Sequence, residues 1–185
     1  MFMRGGTSKA LMFRRQDLPK ERRDWDAIFM AAMGSPDPYG RQLDGMGGGV
    51  SSLSKVCVVG PPGRDDADVD YTFAQVQVGE ARVNYDINCG NMSSAVGPFA
   101  LACGLVAAAS DGEQTVRIHN TNTRKIIHST FGVRAGRAME QGDLAIPGVS
   151  GQGADPASFP RTSSHAANWA FSQVTGARNP LAECR

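Results

Sequence analysis

No sign of charge predominates in this 185-residue sequence: 19 lysines and arginines face 18 acidic residues, a formal net charge of +1. With so little net field there is no general attraction to nucleic acid or to a membrane surface, and any anion must be bound by local groups. Long apolar runs are missing as well. Stretches such as Phe99 to Ala109 are too short to span a bilayer. The opening residues, Met1-Phe2-Met3-Arg4-Gly5-Gly6, lack the apolar core of a signal peptide. A cytoplasmic protein with no nucleic-acid or membrane partner is therefore expected. Cysteine is sparse: residues 57, 89, 103 and 184 form no CxxC and do not pair with the histidines at 119, 128 and 165. That spacing fits neither a zinc site nor a disulfide-rich scaffold, so no metal is expected and one reactive thiol among inert ones is.

Glycine, by contrast, is plentiful, with 22 residues concentrated in the first half. Gly5-Gly6 opens the chain, Gly45-Met46-Gly47-Gly48-Gly49 follows Leu43-Asp44, and Cys89-Gly90-Asn91 stands between a strand-like and a helix-like stretch. Ala10–Phe13 reads as a short strand, and Trp25–Met33 has helical spacing after a charged run. Ser35–Gly40 is a turn-rich loop. Ser54–Val59 reads as a buried strand, and Val69–Val78 alternates imperfectly, with Ala81–Ile87 continuing in the same style. Ser93–Ala109 is the clearest helix, with Asn91 or Ser93 as its cap. Thr115–His119 and Lys125–Thr130 read as strands, and Phe131–Ala145 as a weaker hairpin. The pattern predicts an α+β domain over residues 1–153, with a mixed or antiparallel sheet around one long helix. After Gly153 the apolar period stops, and residues 154–185 read as an irregular tail.

Two residues stand out chemically. Cys89 lies at the expected amino end of the long helix, where unpaired N–H groups and the helix dipole favour a thiolate and a nearby carboxylate. The competing reading is a small buried cysteine filling a turn. Cys57 in a strand and Cys103 on an apolar helix face read as core. Lys55 interrupts an apolar strand, and a desolvated lysine becomes a usable base. An edge-strand lysine turned to solvent is its alternative. The preceding Gly-rich loop with Ser51 and Ser52 favours the first reading, because backbone N–H groups and hydroxyls there suit carboxylate oxygens. Gly45–Val50 begins like a dinucleotide fingerprint, but Val50 replaces the third glycine and a strand follows, which excludes that reading. Arg4-Gly5-Gly6-Thr7-Ser8-Lys9 lacks phosphate-loop spacing and reads either as an anion-binding nest or as a plain surface turn.

Five collinear segments resemble one family. They are Met3-Arg4-Gly5-Gly6-Thr7-Ser8-Lys9, Gly34-Ser35-Pro36-Asp37-Pro38-Tyr39-Gly40-Arg41-Gln42, Asp44-Gly45-Met46-Gly47-Gly48, Ser54-Lys55-Val56 and Asn88-Cys89-Gly90-Asn91. Together they resemble the PrpF family, whose members include 2-methylaconitate cis-trans isomerase, methylitaconate isomerase and 4-oxalomesaconate tautomerase. The resemblance implies a diaminopimelate-epimerase-like fold of two similar α+β domains, of which residues 1–153 would be one. It implies that Lys55 and Cys89 are the acid/base pair. Ser8, Lys9, Gly47, Gly48, Ser51, Ser52, Gly90, Asn91 and Met92 would line a pocket for a small unsaturated di- or tricarboxylate. One of the pair would remove an acidified C–H proton and one would return it, with no metal or organic cofactor.

Members of that family run to roughly twice this length and usually begin several residues earlier. The expectation is therefore a partial chain whose exposed domain face invites self-association into a homo-oligomer. Residues 154–162, read one base later with a suitable choice of codons, give the family's expected continuation, so a frameshift near Gly153 is expected. Two rivals stand beside the isomerase: a two-cysteine racemase or epimerase of the same fold, and a polycarboxylate-binding fragment without catalysis.

Overall fold

The computed structural model describes residues 1–146 and 150–153; the expectation of an irregular tail at 154–185 falls outside them. The chain begins with a hairpin, β1 (Phe2–Gly5) and β2 (Ser8–Arg14), closed by Gly6 and Thr7 with Gly6 at φ +53°. Helix α1 (Trp25–Met33) follows, then a long loop to β3 (Lys55–Gly60), which pairs parallel to β2. Strand β4 (Val69–Val76) runs antiparallel to β3 and carries the two-residue β5 (Val83–Asn84) beside it. Helix α2 (Gly90–Ala102) leads into the long hairpin β6 (Gly112–Asn120) and β7 (Lys125–Arg134), which ends in β8 (Arg137–Ala138). A separate pair, β9 (Leu144–Ala145) and β10 (Gln152–Gly153), closes the described chain.

The strands form one mixed sheet in the order β1-β2-β3-β4-β6-β7-β8. Its parallel junctions, β2–β3 and β4–β6, are bridged by crossovers that contain α1 and α2 respectively. Alternation along β3 divides the core between two faces. Cys57 and Val59 join Met92, Val96 and Phe99 of α2, while Val56 and Val58 join Trp25, Phe29 and Met33 of α1. All six β3 residues are buried because each face is covered by a helix, so the strand reads as a continuous apolar run. The same α2-side core takes in Met3 of β1 at one end of the sheet and Phe131 and Val133 of β7 at the other. The sheet thus curls around α2, as the sequence predicts for an α+β domain. Among the described residues no helix is long and apolar enough to cross a membrane.

The boundaries of α2 differ from the expected Ser93–Ala109 at both ends. At the start, Cys89 itself is the capping residue, with extended φ −115° and ψ 101°, and its carbonyl accepts the first helical bond from Ser93 N–H at 3.1 Å. At the end, Gly104 turns left-handed at φ +68°, Gly104 N–H reaches Leu101 O and Leu105 N–H reaches Ala100 O. This is a Schellman stop, with Leu105 packed back on the core. Alanine-rich composition extended the predicted helix through that glycine. Strand β5 is likewise shorter than the expected 81–87.

Candidate active site

The amino end of α2 abuts the β1–β2 turn. Gly5 makes the approach feasible, since a Cβ there would collide with the Asn91 carbonyl oxygen. Helix geometry leaves the N–H groups of Gly90, Asn91 and Met92 without carbonyl partners inside the helix, and they form the positive end of its dipole. The half-buried Cys89 thiol lies 3.8 Å from the hydroxyl of buried Ser8. Asn91 Nδ2 donates to Thr7 Oγ1 at 3.1 Å and to Ser8 Oγ at 3.4 Å. Ser8, about eighty residues away in sequence, therefore meets Cys89 and Asn91 at one point. Behind them, Asn120 Nδ2 donates to Asn88 Oδ1 at 2.7 Å and anchors the residue before the thiol.

Lys55 starts β3 on the face that carries Cys57 and Val59, and so faces the α2 side of the sheet. It is only 7% exposed, which removes the solvent-facing edge lysine from consideration. Its Nζ donates to Gln75 Oε1, its cross-strand partner, at 2.7 Å and lies 5.1 Å from the centre of the Phe73 ring. Cys57, next but one along the strand and on the same face, belongs to the core against which Cys89 packs, so the lysine and the thiol flank one core. The Cys57 thiol is fully buried against the Tyr71 hydroxyl at 3.7 Å, and burial pushes it above the usual thiol range. The Tyr71 phenol is raised by the same burial. Neither group is poised for proton exchange near neutrality.

The Gly-rich loop is fixed chiefly by backbone contacts with α1. Gly34 ends α1 in the left-handed region at φ +73°, and Gly45 packs so closely on it that a Cβ on Gly45 would overlap Gly34 N. Met46 N–H then donates to Ala32 O at 2.9 Å and Gly47 N–H to Met33 O at 3.2 Å. Two amides of the run are thus committed to the carbonyl end of a helix. Buried Gln42 ties the rest: Nε2 donates to Ser35 Oγ and Ser54 Oγ, while Oε1 accepts Gly49 N–H at 3.0 Å. The Asp37 carboxylate accepts the N–H groups of Tyr39, Arg41 and Gln42, which hold it below the ordinary carboxylate range.

The remaining predicted pocket residues are dispersed. Ser51 is exposed and Ser52 half-buried in the short turn before β3; Gly48 is exposed and Gly47 half-buried. Met92 turns its side chain into the α2 core. Lys9 pairs with Arg4 across the hairpin and alternates with Ser8, on the sheet face that carries Leu11 rather than the face of Cys89. Sequence reasoning missed Gln75, Gln42, Asp37 and Asn120. Gln75 did leave a signal. Val69, Tyr71 and Phe73 share one face of β4, and a glutamine at the next position of that face breaks an apolar row.

The family model for the PrpF protein matches residues 1–165. The chain belongs to the PrpF family. Its match runs past Gly153, the boundary expected from composition. The sequence is 45% identical over 156 residues to a 2-methyl-aconitate isomerase of Cupriavidus necator, covering 80% of this chain and 39% of that protein. It is 49% identical over 154 residues to a 4-oxalomesaconate tautomerase of Pseudomonas putida, covering 83% and 42%. The fold matches the crystal structure of methylitaconate-delta-isomerase with a TM-score of 0.78 and 44% identity, over 83% of this chain and 39% of that one. The chain therefore spans about two-fifths of the length of the relatives it matches, and the PrpF-type, diaminopimelate-epimerase-like architecture is present for that part.

Proposed function

We propose that this chain carries the lysine–cysteine half of a cofactor-independent isomerase or tautomerase site, which moves a proton on a small unsaturated di- or tricarboxylate. The observation that carries the reading is the placement of a buried lysine amine and the thiol of the residue that starts α2 on the same side of the sheet, beside a helix amino terminus. A proton removed next to a conjugated carboxylate leaves an enolate-like anion, and the N–H groups of Gly90, Asn91 and Met92 are fixed donors for such charge. Lys55 and Cys89 exchange the proton, one as base and one as acid. Ser8 orients the thiol and is itself held by Asn91, which also donates to Thr7. Ser51, Ser52 and Gly48 approach the carboxylates from the loop before β3, while Gly47, its N–H bound to Met33 O, fixes the course of that loop. Lys9 joins them only if its stem bends round the hairpin edge.

Relatives named for 2-methyl-aconitate, 3-methylitaconate and 4-oxalomesaconate supply the candidate substrates. The test is deuterium wash-in from D2O into each compound, followed by proton NMR with the 185-residue chain. Exchange that disappears in Lys55→Ala and Cys89→Ser, with circular dichroism unchanged, is the expected result. Near-normal exchange in either variant removes that residue from the mechanism. The two-cysteine racemase reading, which takes one cysteine from each of two domains, loses support because a buried lysine, Lys55, lies on the same sheet face as the core that Cys89 packs against. Binding of a candidate by calorimetry, without any proton exchange, would instead favour a polycarboxylate-binding fragment.

A further inference from the structure

We propose that Gln75 is the positioning residue for Lys55, and that its neutral amide is what leaves the lysine free to exchange a proton. The inference rests on the reading of Lys55 as a proton-transferring group. An amide can turn either end toward a neighbour, but here the choice is fixed. Gln75 Nε2 donates to Ser54 O at 2.8 Å and to Ser51 O at 3.0 Å, and two carbonyls accept only from the NH2 end. Oε1 is therefore forced toward Lys55 Nζ, 2.7 Å away. The cross-strand register Lys55↔Gln75 keeps the two side chains on one face. Phe73, next along β4 on that face, covers the amine from a second side.

The same glutamine joins the amine to the turn that precedes β3. It holds the amine through Oε1, and it holds the turn carrying Ser51 through Nε2. Ser54 is also held by Gln42, whose Nε2 donates to Ser54 Oγ at 2.7 Å. A carboxylate in place of Gln75 would grip the ammonium as a buried ion pair and oppose its deprotonation. A neutral acceptor fixes the position of nitrogen without fixing its charge.

Two variants of matched length separate these functions. Gln75→Met removes both acceptor and donor; Gln75→Glu loses the same donor to Ser51 O and Ser54 O but keeps the acceptor and adds charge, so the two variants differ only at the lysine. The readout that needs no turnover is competitive acylation of the four lysines, followed by mass spectrometry, with Lys9, Lys20 and Lys125 as internal references. Gln75→Met is expected to speed acylation of Lys55 about fivefold, the worth of one ordinary hydrogen bond. Gln75→Glu is expected to slow it below wild type. In the wash-in assay both variants should lower kcat, by up to about a hundredfold, with KM changed little. Unchanged Lys55 acylation in Gln75→Met would overturn the proposal. So would equal acceleration in both variants, which would mean that the amide only supports the loop. If the wild-type chain shows no proton exchange, the isomerase reading fails, while the acylation pattern still decides the role of Gln75.

Discussion

At the scale of single residues, the three described cysteines occupy different environments, and their reactivities should separate accordingly. Cys57 is fully buried with its thiol raised by desolvation, whereas Cys89 is half-buried at a helix amino end. Thiolates are the reacting species, so an alkylating reagent in excess at neutral pH should modify Cys89 well before Cys57. Peptide mapping after timed quenching checks this, and preferential modification of Cys57 would contradict the described packing. The candidate pair was legible in the sequence for simple reasons. A lysine breaking an apolar strand and a cysteine before Gly-Asn at a helix start both violate local expectation. Gln75 and Asn120 were not singled out because a polar side chain within a strand acquires meaning only from its partner across the sheet.

Among elements, the loop between α1 and β3 is the one whose order depends on a titrating group. Hydrogen bonds from Tyr39, Arg41 and Gln42 lower the folded value of Asp37, so its contribution is present above the ordinary carboxylate range and is lost as pH falls through the lowered value. As pH falls from the ordinary carboxylate range through that lowered value, the amides of Tyr39, Arg41 and Gln42 should lose protection relative to their intrinsic exchange rates, while those of β3 stay protected. Hydrogen exchange followed by mass spectrometry measures this, and Asp37→Asn should give the unprotected behaviour already at neutral pH. The glycine run has a separate test. Gly45→Ala places a methyl against the backbone at the end of α1 and should cost about 1–3 kcal/mol in urea unfolding. A neutral effect would mean that the loop can move away from α1. Sequence pattern identified a special loop here; the reason for its glycines, backbone docking on helix carbonyls, needed α1 to be in place.

Over the whole molecule, two cores share one sheet, and α2 supplies the larger. Ten of the thirteen α2 residues are buried, including both sides of Pro98, which costs the helix one internal bond to Ser94. Packing on all sides offsets that loss, and Gly97 admits Phe131 and Ser129 of β7 to within contact of the helix backbone. Phe99→Ala should therefore destabilise the fold by about 3–5 kcal/mol. Conversion of exposed Leu43 to Ser should be near neutral for stability. Leu43 shares its loop with exposed Tyr39, Met46 and Val50, and if that apolar surface mediates self-association, Leu43→Ser should lower the sedimenting mass. An unchanged mass would place any self-association elsewhere.

The sequence by itself determined the α+β class, the strands at the heart of the sheet and the family, and it singled out the candidate lysine–cysteine pair, because hydrophobic period and short motifs are local properties of the chain. It did not determine where α2 ends, since Gly104 stops the helix only through carbonyl contacts that the folded turn supplies. Nor did it separate Ser8 from Lys9. Adjacent in sequence and equally suited to a carboxylate, they are sent to opposite sheet faces by the pleat of β2. Tertiary structure alone brought Cys89 to Ser8 and Lys55 to Gln75, because parallel crossovers and cross-strand register join residues that no window of the sequence contains.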